Sequence, residues 1–120
     1  MTAYRLMPER TVTDKTGRKI CEVFGAADGL PGMSVAWLML PAGCGGVDER
    51  NGFDEAVIVL SGKGKAWLDG AASEVGAGHA IHVPKGALWR LENTGREPLV
   101  CYSVCSPAFR PELSQRPEPV

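Results

Sequence analysis

The chain has 120 residues, 44% of them hydrophobic, and a formal net charge of −1 from 13 basic and 14 acidic side chains. This length fits one domain that is large enough to bury a core. The balanced charge leaves no basic stripe to neutralise phosphates, which argues against a nucleic-acid-binding protein. No apolar run reaches the roughly 18 residues of a membrane span, and the first residues lack the apolar stretch of a secretory signal. We therefore expect a cytoplasmic protein.

Short apolar segments rich in Val, Ile, Leu and Trp alternate with Gly, Pro, Asn and Asp, a pattern typical of an all-β sandwich or barrel. The predicted strands, in chain order, are 19–24, 33–40, 55–60, a hairpin over 65–75 that turns at Asp69-Gly70, 79–83, 88–93 and 99–106. No helix is predicted. We expect three parts, namely an N-terminal arm over 1–18, a barrel over 19–106 and a Pro-rich tail over 107–120. The prolines argue against a strand in the tail, which is predicted to be extended, or disordered near its end.

The four cysteines, Cys21, Cys44, Cys101 and Cys105, include no CxxC pair. Cys101 and Cys105 lie four residues apart on one predicted strand, about 13 Å by strand rise, which is too far for a disulfide. We interpret all four as reduced thiols that are buried as small hydrophobic side chains. A reactive Cys101 is the alternative.

Two spaced motifs of Gly, Pro, Glu and Asn occupy the middle of the chain. The first comprises Gly43, Glu49, Asn51, Glu55 and Gly62, and the second comprises Gly78, Pro84, Gly86, Trp89 and Asn93. The spacing of their Gly, Pro, Asn and Glu positions resembles that of the two motifs of the cupin family. The resemblance implies an all-β double-stranded β-helix, a jelly-roll barrel that closes around a central pocket.

The resemblance also implies a metal site, but the three histidine positions of the family here carry Glu49, Asn51 and Trp89, so that only Glu55 remains as a matching ligand. Imidazole suits iron, nickel and zinc, whereas the indole of Trp89 has only an N–H donor. We therefore predict no cofactor and no tightly bound transition metal. A weakly bound Mg²⁺, Ca²⁺ or Mn²⁺ stays open at an oxygen-only site of Glu49, Asn51 and Glu55. A shifted ligand set of Glu49, Glu55 and His79 is the alternative if a metal is present.

Strand alternation predicts which side chains face the interior. Ile81 and Val83 are expected in the core, so that His82 points outward. The spacing from Gly43 favours Glu49 and Asn51 in the two inward positions of the first motif, and a register shifted by one residue would place Asp48 and Arg50 there instead. In the favoured register Asp48 and Arg50 face outward, as an ion pair of little energetic weight.

The predicted pocket has Glu49 and Glu55 as candidate catalytic residues, and Asn51 and Trp89 as candidate ligand-binding residues. Further candidates for its lining, subject to strand parity, are Phe53, Tyr102, Cys101 and Trp37. Two carboxylates close together in a hydrophobic barrel repel, so that one holds a proton near neutral pH. That arrangement suits general acid–base catalysis, while Trp89 offers a flat face to a ring or a cation.

The first functional hypothesis is a metal-independent isomerase, epimerase, lyase or cyclase that acts on a small polar metabolite. A non-catalytic ligand-binding or sensor module is the alternative, and a metal-dependent lyase or dioxygenase with an atypical ligand set is a further one. A purely structural interpretation also stays open, in which Glu55 caps backbone N–H groups and Trp89 fills the barrel. Similarity to small cupins also implies a homodimer, formed through a sheet face or by exchange of the N-terminal strand.

Overall fold

The computed structural model describes residues 1–115 and consists mainly of β-strands. In this range the strands are β1 (Val12–Thr13), β2 (Lys19–Phe24), β3 (Ser34–Leu40), β4 (Glu49–Asn51), β5 (Asp54–Ser61), β6 (Lys63–Leu68), β7 (Ala71–Gly76), β8 (Ala80–Val83), β9 (Leu88–Glu92), β10 (Leu99–Ser106) and β11 (Ser114–Gln115). Short 3₁₀ helices lie at Pro8–Arg10, Ala26–Asp28 and Pro111–Leu113. Among these residues no helix is long and apolar enough to cross a membrane.

Two antiparallel sheets form the barrel. One has the strand order β1-β2-β3-β10-β5-β8 and the other the order β11-β4-β9-β6-β7. Between them lies a core whose most deeply buried aliphatic side chains are Leu40, Val57, Val59, Val83 and Leu99. This architecture is the double-stranded β-helix, or jelly roll, that the two motifs imply.

The predicted strands agree closely with those of the structure. Both 19–24 and 99–106 have the predicted bounds, and the hairpin turns at Asp69 and Gly70, which have φ values of 46° and 86°. Positive φ at both central residues is characteristic of the tight turn that matches the twist of paired strands. The short strands β1, β4 and β11 are not among the predicted strands, because segments of two or three residues carry almost no periodicity.

The motif glycines occupy turns that disfavour other residues. All four, Gly43, Gly62, Gly78 and Gly86, have φ values between 78° and 90°, a region that L-amino acids with a Cβ rarely adopt. At Gly62 a Cβ would also lie 2.4 Å from the carbonyl oxygen of Pro98. The spacing of these glycines therefore reflects the positions of the turns in the barrel and does not indicate its chemistry.

The motif asparagine, Asn93, also has a structural role. Its buried amide donates to the carbonyl oxygens of Leu40 at 2.9 Å and Glu97 at 2.8 Å, and its Oδ1 accepts from the N–H of Gly95 at 2.8 Å. These bonds satisfy backbone groups of Gly95 and Glu97 in the turn between β9 and β10 and connect that turn to the end of β3.

The C-terminal tail folds back onto the barrel, so the prediction that it contains no strand was wrong. Ser114 and Gln115 pair with β4, and the carbonyl oxygen of Leu113 accepts from the N–H of Gly52 at 2.7 Å. The prolines do not prevent this pairing because β11 lies between them, where each residue keeps its N–H donor. The predicted disorder near the end of the tail concerns residues outside the described range.

The N-terminal arm lies against the outer face of the six-stranded sheet. The rings of Tyr4 and Phe24 are 5.2 Å apart, and the thiol of Cys21 donates to the carbonyl oxygen of Met7 at 3.2 Å. Cys21 is fully buried although it faces away from the barrel interior, because the arm covers it. In this chain β1 pairs with its own β2, and exchange of the arm between two chains stays a prediction.

Candidate functional site

Glu55 lies at the start of β5, on the inner face of the six-stranded sheet. Its backbone partner on β10 is Cys105, and only 8% of the residue is exposed. The hydroxyl of Ser103, two residues along β10 and also inward, donates to Oε2 of Glu55 at 2.5 Å. An acidic side chain in this position is almost fully removed from water, so its protonation state is decided by its neighbours.

Burial is the main reason that the pKa of Glu55 rises from 4.5 to about 7, since the charged form loses its hydration. The negative charge of Glu49 raises this pKa further. The hydrogen bond from Ser103, the charge of Arg18 and the amide of Asn51 favour the ionised form and act in the opposite direction. Both protonation states of Glu55 are therefore populated near neutral pH.

Glu49, on β4, is held by a cation from the N-terminal part of the chain. Nη1 of Arg18 donates to Oε1 of Glu49 at 2.9 Å, while Nε of Arg18 donates to Oδ2 of Asp14 at 3.0 Å. Burial lowers the pKa of the guanidinium, but the charges and hydrogen bonds of the two carboxylates outweigh burial and raise it. The hydroxyl of Ser114 donates to Oε2 of Glu49 at 3.3 Å. Both oxygens of Glu49 are thus engaged.

The two predicted acids are brought together, but they occupy different environments. Glu55 is hydrogen-bonded to the neutral hydroxyl of Ser103 and has a pKa of about 7, whereas Glu49 forms an ion pair with Arg18. Sequence reasoning missed Arg18 because it lies 31 residues from Glu49, and no local pattern connects the two.

Asn51 and Trp89 lie on the inner face of the five-stranded sheet. Trp89 is directly opposite Glu49 across β4 and β9, and Asn51 is two residues along β4 on the same face. Trp89 is 4% exposed and Asn51 is 6% exposed. Oδ1 of Asn51 and Nε1 of Trp89 have no hydrogen-bond partner among the described residues. Both residues therefore present unused polar atoms inside the barrel.

The predicted register of the first motif is confirmed, because Glu49 and Asn51 are the inward residues of β4. Their neighbours do not form the predicted ion pair. Nε of Arg50 donates to the carbonyl oxygen of Gly86 at 3.1 Å, and the carboxylate of Asp48 lies 3.7 Å from Nε of Arg90. Arg50 thus fastens the turn before β9, and Asp48 contacts a different strand.

The other predicted lining residues divide between the two faces of the sheet. Phe53 is buried, and its ring meets Phe109 of the tail edge to face, with centroids 5.9 Å apart. Cys101 faces inward but packs in the apolar core, where burial raises the pKa of its thiol to about 11. Tyr102 is paired with Trp37 across β3 and β10, in the row that alternates with the inward residues. The expectation that Tyr102 and Trp37 line the pocket was therefore wrong.

Two further groups near Glu55 were not identified from the sequence. Glu22 is opposite Ala36, in the inward row that includes Ser103, and burial raises the pKa of its carboxyl. Cys105 is directly opposite Glu55, and burial raises the pKa of its thiol to about 12. Alternation along β2 does not reveal Glu22, because the arm buries the opposite face of that strand as well.

The donor set does not fit a transition metal. In residues 1–115 no three His, Cys, Asp or Glu side chains lie close enough together to hold an ion. His79 is exposed, and its Nδ1 accepts from the N–H of Gly76 at 2.9 Å. The strand partner of Glu55 is Val83, so His79 lies four residues away, about 13 Å by strand rise. The ligand set of Glu49, Glu55 and His79 is not assembled, and the oxygens of Glu49 are occupied by a cation and a hydroxyl.

Strand β8 orients its side chains as predicted. Ile81 and Val83 are buried, and His82 is exposed on the outer face. A surface hollow of about 270 Å³ lies at the far end of β5, and its lining consists of Gly62, Lys63, Gly95, Arg96 and Glu97. This hollow is separate from the polar cluster around Glu55, which consists of Glu22, Ser103, Cys105, Asn51, Trp89 and the ion pair of Arg18 with Glu49.

Comparison with curated proteins gives a relative that matches almost the whole of this chain. The chain is 35% identical over 116 residues to the endoribonuclease YbeY of Myxococcus xanthus strain DK1622. The match covers 96% of this chain, which spans 40% of the length of that relative. The name of the relative therefore describes a protein more than twice as long.

Solved structures give the same architecture at low sequence identity. The Streptomyces protein PAC13, solved with uridine, has a TM-score of 0.77 and 20% identity over 97% of this chain and 91% of its own. PAC13 is described as a nucleoside dehydratase. An oxalate decarboxylase has a TM-score of 0.78 and 20% identity, over 95% of this chain and 31% of its own. At these identities the likeness concerns the fold. The family model for the cupin domain matches residues 36–105, and the chain therefore belongs to the cupin family.

Proposed function

We propose that this protein is a small-molecule lyase or isomerase that works by proton transfer through Glu55, without a metal ion. The observation that carries the proposal is the buried carboxyl of Glu55, whose pKa of about 7 lies near physiological pH. A general acid–base group is most effective when its pKa lies near the working pH, because both forms are then available.

The neighbours of Glu55 suit this role. As a carboxylate it can accept a proton from the substrate while Ser103 holds Oε2 in place, and as an acid it can return that proton to another position or to a leaving oxygen. Glu49 acts through its charge, which helps to raise the pKa of Glu55, and Arg18 holds Glu49 in position through an ion pair. Glu49 is thus a positioning residue, and Glu55 alone is the proposed proton carrier.

The comparisons support the class of chemistry without giving a substrate. A nucleoside dehydratase, which releases water, and an oxalate decarboxylase, which releases carbon dioxide, both occur among the proteins of similar fold. The ribonuclease activity of the Myxococcus relative is not included in the proposal, because the chain spans 40% of that protein. The net charge of −1 and the acidic interior favour a small polar metabolite over a nucleic acid.

The first test is an NMR titration of protein that carries ¹³C at the Glu side-chain carboxyl, with Glu55→Gln to assign the signal. We expect one carboxyl that titrates near pH 7 and disappears in the variant. A Glu55 signal that titrates near 4.5 would remove the basis of the proposal. The same preparation, made without a histidine tag, should show no stoichiometric iron, nickel or zinc by elemental analysis.

Activity then separates the proposal from its alternatives. Once a metabolite screen yields a substrate, Glu55→Gln should lower kcat at least about 100-fold, in the range of general acid–base effects. The wild-type protein should keep its full activity after treatment with a chelator. If the wild-type protein binds a ligand without converting it, and Glu55→Gln binds that ligand with the same affinity, the binding or sensor module is favoured. Loss of activity on chelation would favour the metal-dependent alternative.

We also propose that the protein forms a homodimer through the outer face of the six-stranded sheet. Exposed Ile58 and Leu60 lie on this face, beside the partly buried pair of Trp37 and Tyr102. An apolar surface of this kind is more often covered than left to water. Light scattering should give twice the chain mass at micromolar concentration, and Ile58→Lys should shift the protein towards a monomer. A wild-type monomer would refute this proposal.

The cytoplasm is the compartment that we propose. All four cysteines are free and buried, and proteins of reducing compartments commonly keep their thiols in this form.

A further inference from the structure

Two buried polar atoms on the inner face of the five-stranded sheet have no protein partner. They are Oδ1 of Asn51 and Nε1 of Trp89, in residues with 6% and 4% of their surface exposed. An unsatisfied buried polar group destabilises the fold, so such groups are rare in folded proteins. The pair therefore requires an explanation beyond packing.

The strand register brings the two side chains to the same place. Trp89 is opposite Glu49, and Asn51 lies two residues further along β4 on the same face. Diagonal neighbours of this kind are about 7–8 Å apart, which is within reach of long side chains. The amide of Asn51 also faces Glu55. One small molecule beside Glu55 can thus contact both atoms.

The two atoms have opposite requirements. The indole N–H of Trp89 can only donate, so it needs an acceptor, whereas Oδ1 of Asn51 needs a donor. A carboxylate or phosphate group supplies acceptors but no hydrogen for Asn51. A hydroxyl satisfies both atoms, and so does the edge of an amide, which carries a carbonyl oxygen beside an N–H.

The surrounding charges also disfavour an anion. Arg18 is paired with both Asp14 and Glu49, so that this group carries more negative than positive charge, and Glu55 adds to the negative charge when it is ionised. A negatively charged ligand group would meet repulsion without a free cation in the cluster to offset it.

We infer that Asn51 and Trp89 form a recognition pair for an uncharged hydroxyl or amide group of the ligand. The inference rests on the proposed function for the location of the site, and it adds the chemical class of the molecule that binds there. The ligand places this group between the indole N–H of Trp89 and the amide oxygen of Asn51, with its reacting part towards Glu55.

The test follows the indole N–H signals of ¹⁵N-labelled protein by NMR. Trp37 and Trp67 are internal controls, because Trp37 faces outward and Nε1 of Trp67 donates to Glu92 at 3.3 Å. The Trp89 signal is assigned with Trp89→Phe. The probes are acetamide and N,N-dimethylacetamide, ethylene glycol and 1,2-dimethoxyethane, and acetate, each titrated to high millimolar concentration.

We expect acetamide or ethylene glycol to move the Trp89 signal saturably and to leave the two control signals in place. The methylated counterpart and acetate should bind at least about tenfold more weakly, the effect of losing one buried hydrogen bond. A response to acetamide alone identifies the amide as the ligand group, and a response to ethylene glycol alone identifies the hydroxyl. Asn51→Leu should weaken the binding of the responding probe by the same factor of about ten.

Two results would overturn the inference. One is a Trp89 signal that no probe moves, and the other is equal affinity for the probes and their methylated counterparts in the wild-type protein. The carboxyl titration of Glu55 shows whether the recognition pair or the proposed acid–base function has failed. If Trp89 responds and Glu55 titrates near 4.5, the recognition pair stands without the acid–base role. If Glu55 titrates near 7 and Trp89 does not respond, the recognition pair alone is refuted.

Discussion

Replacing Glu55 with glutamine should change how the stability of this protein depends on pH. The pKa of Glu55 is about 7 in the folded chain, against 4.5 for an ordinary glutamate carboxyl. Between these values the folded state holds a proton that the unfolded state has lost, so the free energy of unfolding falls as pH rises. Each pH unit contributes about 1.4 kcal/mol, so the total loss between pH 4.5 and pH 7 is about 3 kcal/mol.

Glutamine removes this titration and keeps the shape and an oxygen that can accept from Ser103. Below pH 4.5, where the wild-type carboxyl is neutral in both states, the two proteins should have similar stability. Above pH 7 Glu55→Gln should be more stable than the wild type by up to about 3 kcal/mol. The stabilising contribution of the raised pKa is thus present at low pH and lost as pH rises through 7.

The assay is urea unfolding of both proteins at pH values from 4.5 to 9, followed by tryptophan fluorescence. Glu74→Gln, at an exposed position on β7, is the matched control and should leave the pH profile unchanged. Taking the difference between variant and wild type cancels the titration of all other groups. If the two stability profiles run parallel over this range, Glu55 has an ordinary pKa and the argument for its role is wrong.

Three further predictions concern the groups around this site. Arg18→Met should lower the free energy of unfolding by about 3 kcal/mol, because the carboxylate of Glu49, whose side chain is only 12% exposed, then lacks its cation. Glu49→Gln in the same chain should recover part of that loss in a double-mutant cycle. Full additivity of the two changes would contradict the ion pair. Ser114→Ala should cost about 1 kcal/mol in the same assay through the lost hydrogen bond to Glu49, and no change would mean that β11 does not hold that carboxylate. Cys101 and Cys105, with thiol pKa values of about 11 and 12, should not react with a disulfide reagent at pH 8 until the protein is unfolded, and rapid labelling of either would contradict their burial.

Much of the barrel was predictable because its information is local. Strand alternation placed Ile81 and Val83 in the core, and the spacing from Gly43 placed Glu49 and Asn51 on the inner face of β4. Each of these predictions needs only the period of a strand or the backbone requirement of a turn, which residues close in sequence determine.

The alternation of side chains along one strand does not predict which face a residue of the next strand occupies when an irregular connection lies between them. Tyr102 was expected in the pocket, but it lies on the outer face, because its orientation depends on how β10 pairs with β3 and β5. His79 was considered as a metal ligand, but its turn leaves it about 13 Å along the strand from Glu55. A change of one residue in register reverses the face on which a side chain lies, so sequence alone left these positions open.

The order of the residues is enough to predict the turns, the strand pattern, the family and the replacement of the usual ligand residues by Glu49, Asn51 and Trp89. The chemistry of the interior could not be predicted in this way, because it depends on contacts between distant parts of the chain. Arg18 reaches Glu49 across 31 residues, and Ser114 reaches it across 65. The pKa of Glu55 depends on burial and on groups from distant strands, because electrostatic and desolvation effects act through space and leave no pattern along the chain.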